Sequence, residues 1–185
     1  NGEVFASLMS RPGEIVEADE RTGIVDRLVR FSTFISAGAL PMADGRVLVP
    51  AIASTGNSVM VAPPGRDPYR FVQTNEQTFG PLTLLGADRV AMMIGKPEAR
   101  EIAIVAVDTG SVLKRIKPAA EVLSLAASPD GRTLYVASSG TVSAMPADGG
   151  PLTTICAGDS AAVDPATGDL IVKRLEKERI RLFRC

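Results

Sequence analysis

The chain has 185 residues, of which 45% are hydrophobic and 22% charged, and its net charge is −1. This composition allows a packed core and provides no general positive field for nucleic acid or an anionic membrane. Histidine is absent, which excludes a Ser-His-Asp triad, a Cys-His dyad and any histidine-ligated metal site within the chain. The length fits one ordinary domain or four to five repeats of about 40 residues.

Short apolar runs, many of them rich in Val and Ile, recur between turn residues and predict β-strands, whereas helical periodicity is nearly absent. The predicted strands cover residues 4–9, 47–52, 58–62, 89–94, 101–107, 133–137, 141–145, 169–173 and 179–183. The one segment with helical character is RLEKERIR at 174–181. It is short, charged and uncapped, so we interpret it as two strands joined by a polar turn.

Two series of turns alternate along the chain at a common period. Asp44, Asp88 and Asp130 lie 44 and 42 residues apart, and a fourth turn of this type covers 164–169. The second series contains the glycines at positions 23, 65, 110 and 149, which are spaced 42, 45 and 39 residues apart. A period near 42 residues with four strands per unit is typical of β-propeller blades. We expect the first series to join the inner two strands of each blade and the second the outer two.

The predicted fold is therefore an all-β propeller, or a propeller fragment, of about four to five four-stranded blades in a single repeat domain, 1–185. The first and last blades are incomplete. The predicted blades cover residues 1–34 (partial, without an inner strand), 35–79, 80–122, 123–158 and 159–185 (partial).

One blade carries a family resemblance. The segment 125–137, LAASPDGRTLYVA, is followed by VSAMPADGGP at 142–151, and 160–185 is a looser copy. This pattern resembles TolB-type, WD-like propeller repeats. The Trp-Asp and Gly-His dipeptides of eukaryotic scaffold WD repeats are absent. The resemblance implies a bacterial, extracytoplasmic or periplasmic module, as found in the extracytoplasmic part of serine/threonine kinases.

On this basis we expect a non-catalytic propeller that binds a protein, a peptide or a small ligand at a propeller face. The resemblance adds that it is the sensor or interaction domain of a larger bacterial serine/threonine kinase. The alternative is a propeller that is associated with a hydrolase or acts as one, either a peptidase partner or a lactonase-like enzyme with metal-bound carboxylates. The missing histidine and the dispersed carboxylates argue against catalysis by this chain, which we therefore do not expect to be an enzyme.

The repeated aspartates Asp44, Asp88 and Asp130 are candidate metal ligands, but their turn contexts favour capping of the turn backbone. The acidic cluster of Glu17, Asp19 and Glu20 lacks the residue pattern of a calcium loop and is interpreted as a solvated hairpin tip.

Other polar and reactive segments also have structural interpretations. The mixed-charge run 173–179 and the basic run 114–117 are typical of exposed strand faces or hairpin tips, and Ile116 is expected on the face opposite to its neighbours. Of the adjacent pair Met92 and Met93, at least one belongs to the core. Ser138, Ser139 and Ser160 lack a nucleophile elbow, and Gly149–Gly150 lacks the residues of a phosphate loop. No catalytic, cofactor-binding or metal-binding residue is predicted.

The two cysteines do not form the disulfide framework of a small secreted domain. Cys156 lies in an apolar stretch and is interpreted as a core residue, and the environment of Cys185 is left open. No apolar run is long enough to span a bilayer, and we expect no signal peptide after Asn1. Open blade edges predict either a homodimer or closure of the ring by residues 4–30.

Overall fold

The computed structural model describes residues 3–8, 14–19, 21–22, 25–30, 34–35, 38–53 and 56–185. Within these residues nineteen β-strands form five antiparallel sheets, and no helix is present. The chain divides into two compact units, Asn1–Gly80 and Pro81–Cys185.

The first unit contains two sheets. Sheet one consists of β1 (Glu3–Leu8), β2 (Glu14–Asp19) and β3 (Val25–Arg30), in that order. Sheet two consists of β4 (Phe34–Ile35), β5 (Leu40–Pro41), β6 (Val47–Ala53), β7 (Gly56–Ala62) and β8 (Tyr69–Arg70). Its path is β4-β6-β7-β8, and β5 also pairs with β6. Val47, Val49 and Ala62 form a buried cluster here.

The second unit contains three sheets, each following the chain order. Sheet three consists of β9 (Thr78–Leu85), β10 (Arg89–Lys96), β11 (Ala99–Ala106) and β12 (Val112–Ile116). The first residues of β9 belong to the first unit. Sheet four consists of β13 (Ser124–Ala127), β14 (Thr133–Ser138), β15 (Thr141–Pro146) and β16 (Thr153–Ala157). Sheet five consists of β17 (Ser160–Val163), β18 (Leu170–Glu176) and β19 (Arg179–Arg184).

The two turn series have separate structural roles. The turns at Asp44, Asp88, Asp130 and 164–169 join β5 to β6, β9 to β10, β13 to β14 and β17 to β18. In sheets three to five these are the first and second strands. The second series joins β7 to β8, β11 to β12 and β15 to β16, which are the last two strands along the path of their sheets. Its earliest turn falls between β2 and β3, where Glu20 and Gly23 lie outside the described residues.

Each of the nine predicted apolar runs overlaps an observed strand, although Met9 lies outside the described residues. The segment RLEKERIR forms the end of β18, a tight turn and the start of β19, which confirms the two-strand interpretation. Lys177 and Glu178 adopt positive φ angles of 46° and 65° in this turn. Such angles are those of a two-residue hairpin turn, which usually contains glycine or asparagine.

Sheets four and five pack face to face. Side chains from both sheets share one buried cluster: Ala126, Ala137, Val142, Ala161, Leu170 and Val172. Tight contact between the sheets is possible because Gly158, which links them, has no side chain: a β-carbon at this position would collide with the side chain of Val172. In sheet three, both Met92 and Met93 are buried, which places them in the core.

Candidate functional site

The turn aspartates cap their own turns. The Asp44 carboxylate accepts the Arg46 backbone N–H at 3.0 Å, and Asp130 accepts that of Arg132 at the same distance. The Arg46 side chain lowers the pKa of Asp44, and the Ser128 hydroxyl, with the Arg132 N–H, lowers the pKa of Asp130. These contacts confirm the capping interpretation for both residues.

Asp88 departs from this pattern. Its carboxylate lies 3.7 Å from the Arg89 guanidinium, and its backbone carbonyl accepts the Val107 N–H at 2.8 Å. The aspartate of the last turn, Asp164, accepts the Ala166 N–H at 2.8 Å, and this bond lowers its pKa. Over the described part of the chain, no three acidic or cysteine residues are grouped closely enough to hold a metal ion.

Asp19, from the acidic cluster, also caps a turn. Its carboxylate accepts the backbone N–H groups of Arg21 and Thr22, each at 2.9 Å, and the bonds from Thr22 and Arg21 lower its pKa. This agrees with a hairpin tip. The side chain of Glu17 and the whole of Glu20 lie outside the described part of the structure.

The turn that begins at Asp148 is held in place by two cations from sheet three. Arg89 donates to the Asp148 carboxylate at 3.2 Å, and the Lys114 ammonium donates to the Asp148 carbonyl. Lys114 and Ile116 both lie close to Gly149, so they share one face of β12. Ile116 therefore lies on the face of β12 opposite to Arg115, which pairs with Glu101 at 3.3 Å. The sequence also predicted Lys114 on the face opposite to Ile116, and that prediction was wrong.

An apolar groove of about 420 Å³ lies beside this turn, between sheets three and four. The residues that line it come from β11, β12, the segment after β12, β15 and the segment after the Asp148 turn: Ile102, Ile116, Lys117, Pro118, Ala119, Met145, Gly150 and Leu152. Ile102 and Met145 are buried, whereas Leu152 is exposed at the rim. The volume lies within the range of small-ligand sites, and apolar walls with few polar groups are typical of such sites.

Lys117 is the charged residue of this lining. The groove can therefore accept an apolar group whose acidic end reaches the ammonium. Sequence reasoning missed the groove because its residues come from two sheets whose stacking no local pattern specifies. The one available signal was the alternation in 114–117, which places Ile116 on the face opposite to Arg115.

The cysteines correct a sequence prediction. Cys156 and Cys185 form a disulfide with a Cα–Cα distance of 6.6 Å, so Cys156 is not a free core residue. Cys156 is half-buried against the cluster between sheets four and five, and Phe183 of β19 packs on the same cluster. Cys185 lies two residues beyond Phe183 and therefore faces the same way, towards Cys156. The stacking of the two sheets brings the thiols together.

The remaining candidate residues take part in hydrogen bonds and ion pairs within the fold. The Ser124 hydroxyl donates to the Ala161 carbonyl at 3.2 Å and accepts a bond from Ser160 at 3.3 Å, which links the first strands of sheets four and five. In the charged run 173–179, Arg174 pairs with Glu176 at 3.2 Å within one hairpin. Among the described residues, no helix has the length and apolar character to cross a membrane.

Successive antiparallel sheets of three to five strands, in which the two turn series recur between corresponding strands, define a β-propeller architecture. TolB from Acinetobacter baumannii is similar, with a TM-score of 0.77 and 15% identity over 97% of this chain and 48% of that chain. A gluconolactonase from Xanthomonas campestris is similar with a TM-score of 0.65 and 17% identity, over 92% of this chain and 65% of that one. No family model and no curated protein matches the sequence.

These likenesses confirm the predicted fold class, an all-β propeller, and the resemblance to TolB-type propellers at the level of fold. The chain spans about half the length of the TolB chain and about two thirds of the gluconolactonase. At such low identities the activities of the two neighbours do not carry over to this chain.

Proposed function

We propose that this propeller is a non-catalytic binding module and that the groove between sheets three and four receives its ligand. The observation that carries the proposal is the combination of two buried apolar residues, Ile102 and Met145, with one cationic residue, Lys117, in the lining of the same groove. This chemistry fits an apolar group bearing a carboxylate, supplied by a small molecule or by a side chain of a bound peptide. The capping aspartates described above are occupied by turn hydrogen bonds, which favours binding over catalysis.

Phenylbutyrate is a suitable probe because it combines an apolar ring and chain with one carboxylate. Methionine methyl NMR should show a saturable shift of the Met145 signal, while the signal of Met92, buried in β10, stays in place. Leu152→Asp should abolish the shift because it adds a negative charge at the rim. Leu113→Asp is the matched control, since Leu113 is similarly exposed, at 58% against 42%, and does not line the groove. Equal effects of the two substitutions would contradict the proposal.

The disulfide supports an extracytoplasmic location for this module, because disulfides persist in oxidising compartments. The resemblance to TolB-type repeats points the same way. The finer proposal is that the propeller is the sensor or interaction domain of a bacterial serine/threonine kinase. The test is the full-length gene product: a kinase domain and a membrane helix upstream support this role, and a product with neither removes it.

The second candidate function is a lactonase-like hydrolase, favoured by the structural likeness to a gluconolactonase. That role would require carboxylates gathered around a metal ion. Metal analysis of the purified protein together with gluconolactone hydrolysis decides between the two candidates. Stoichiometric Ca²⁺ or Zn²⁺ with turnover would establish the enzyme, and a metal-free, inactive protein that binds phenylbutyrate would support the binding module.

A further inference from the structure

One wall of the groove between sheets three and four is the segment 148–152, which joins β15 to β16. Its residues Gly150 and Leu152 line the groove, and another part of the lining belongs to β12 and the residues that follow it. A β-carbon at Gly150 would be 3.2 Å from the Pro146 ring, so the segment folds back against the end of β15. It lies there beside Met145, which is buried and lines the same groove.

The segment has the properties of a hinged loop. Residues 150–152 belong to neither of the strands that they connect. The turn that precedes them is closed by the Gly149 N–H, which donates to the Pro146 carbonyl at 2.8 Å. Two adjacent glycines, Gly149 and Gly150, give this point unusual backbone freedom, and Pro151 has no N–H with which to join a ladder. Such a segment moves at a small free-energy cost.

Two cations of sheet three fasten the first residue of the segment. Arg89 donates to the Asp148 carboxylate at 3.2 Å, and the Lys114 ammonium donates to the Asp148 carbonyl. Because Lys114 belongs to β12, its bond joins two walls of the groove. The Asp148 side chain is 91% exposed, and exposed ion pairs are weak and are screened by salt. The fastening is therefore easily released.

The backbone at Gly149 makes room for this contact. A β-carbon at Gly149 would lie 3.0 Å from Cε and 3.1 Å from Nζ of Lys114. Because residue 149 has no side chain, Lys114 lies directly against the turn and reaches the Asp148 carbonyl. The position of the ammonium thus depends on this glycine and not on the charge of Asp148 alone.

The boundary between sheets four and five is tied in a different way. Lys114 and Cys156 correspond in register, since each directly follows the β-bulge in the last strand of its sheet. Cys156 is covalently bonded to Cys185 of the next sheet, whereas Lys114 forms a hydrogen bond to Asp148 of the next sheet. One boundary is therefore locked at this position, and the boundary that contains the groove is held by a contact that can be released.

We infer that the segment 148–152 is a flap that controls entry to the groove, and that Arg89 and Lys114 hold it closed. The inference rests on the ligand site proposed above and describes its regulation. Release of Asp148 lets the flap turn about Gly149 and Gly150, which uncovers Met145. Salt screens the ion pair between Arg89 and Asp148 and thus favours the open flap.

A soluble nitroxide measures the flap without any ligand, because it broadens the methyl NMR signals of the methionines that it reaches. In the double variant Lys114→Met/Asp148→Asn, which keeps the net charge, the broadening of Met145 should rise roughly twofold or more. The signal of Met92, which is buried outside the groove, should not change. Added salt should raise the broadening of Met145 in the wild type more than in the double variant.

The matched control is Lys96→Met/Asp108→Asn. Lys96 and Asp108 are exposed residues of sheet three and its turns, and neither lines the groove. This variant makes the same chemical changes and should leave the broadening of Met145 as it is in the wild type. Equal broadening of Met145 in the two double variants would overturn the flap.

Gly149→Ala tests the flap by a second route, because the added methyl group pushes the Lys114 ammonium away from the turn. Gly65→Ala is its control: Gly65 lies in the corresponding turn of sheet two, has a φ of 65° against 85° for Gly149, and has no neighbour within 4 Å of the added methyl group. Only Gly149→Ala should increase the broadening of Met145. No increase in Gly149→Ala, or an equal increase in Gly65→Ala, would contradict the inference.

Phenylbutyrate separates a failure of the flap from a failure of the proposed ligand site. If the flap gates the groove, Lys114→Met/Asp148→Asn should raise both the association and the dissociation rate, read from the line shape of the Met145 signal, by roughly twofold or more. Binding with unchanged rates and unchanged nitroxide broadening would leave the ligand site standing and overturn the flap. Increased broadening without any binding of phenylbutyrate would support the flap and remove the proposed ligand.

Discussion

Gly131, in the turn between β13 and β14, lies directly against Gly86, in the turn between β9 and β10. A β-carbon at Gly131 would be 2.5 Å from the backbone nitrogen of Gly86 and 2.7 Å from the carbonyl carbon of Leu85. The Arg89 guanidinium closes the same contact by donating to the Gly131 carbonyl at 3.3 Å. The glycine of the SPDGR motif therefore serves two purposes: it permits the turn, and it lets sheets three and four approach.

Gly131→Ala should destabilise the protein strongly. The residue has a φ of 66°, which costs a non-glycine residue about 1 kcal/mol, and the added methyl group meets backbone atoms that cannot rotate away. We expect the free energy of unfolding to fall by roughly 2–4 kcal/mol in urea titrations.

Gly140→Ala is the matched control, because Gly140 has a φ of 75° and no other atom lies within 4 Å of the place that an added methyl group would take. Its free energy of unfolding should fall by about 1 kcal/mol, which is the cost of the positive φ alone. If both substitutions cost the same, contact between the two turns contributes nothing to stability.

The sequence predicted the strands and turns because these depend on local chemistry. Short apolar runs between turn residues identified β10, β14 and β15, and the recurring Asp-containing turns identified the period of the sheets. The disulfide was missed because Cys156 and Cys185 are 29 residues apart and meet only through the stacking of two sheets. The groove was missed for the same reason.

Reduction of the disulfide should lower stability. The bond closes a loop of 29 residues, for which the loss of loop entropy in the unfolded chain corresponds to roughly 3–4 kcal/mol. Urea unfolding with and without a reductant, monitored by fluorescence of a dye bound to exposed apolar surface, measures the difference. The double variant Cys156→Ser/Cys185→Ser should resemble the reduced protein and show no response to reductant. An unchanged midpoint for the reduced wild type would contradict the expectation.

Stability should fall at acidic pH because the capping aspartates become protonated. Hydrogen bonds to the carboxylate lower the pKa of Asp130 in the folded state. A lowered folded pKa contributes stability that is present above the unfolded pKa, about 3.9, and is lost as the pH falls through the folded value. Melting temperatures of wild type and Asp130→Asn should therefore converge as the pH is lowered from about 6 towards 2.

Ser128→Ala tests the cause of that pH dependence. The Ser128 hydroxyl donates to the Asp130 carboxylate at 2.5 Å and is the largest contribution to its lowered pKa. In the Ser128→Ala background, the difference in melting temperature caused by Asp130→Asn should change less with pH. A pH dependence identical to that of the wild type would show that the hydroxyl does not hold the carboxylate in its charged form.

A buried hydroxyl in the first unit provides a separate prediction. Thr78, only 3% exposed, accepts the backbone N–H of Val59 through its Oγ1 at 2.7 Å. Thr78→Val keeps the shape of the side chain but leaves that N–H without its acceptor, at a cost of about 1–3 kcal/mol. Thr78→Ser retains the oxygen and loses one methyl group, at a cost of about 1 kcal/mol. Hydrogen exchange should show faster exchange of the Val59 amide in Thr78→Val than in Thr78→Ser. The opposite order would mean that the methyl group, and not the hydrogen bond, stabilises β7 at this position.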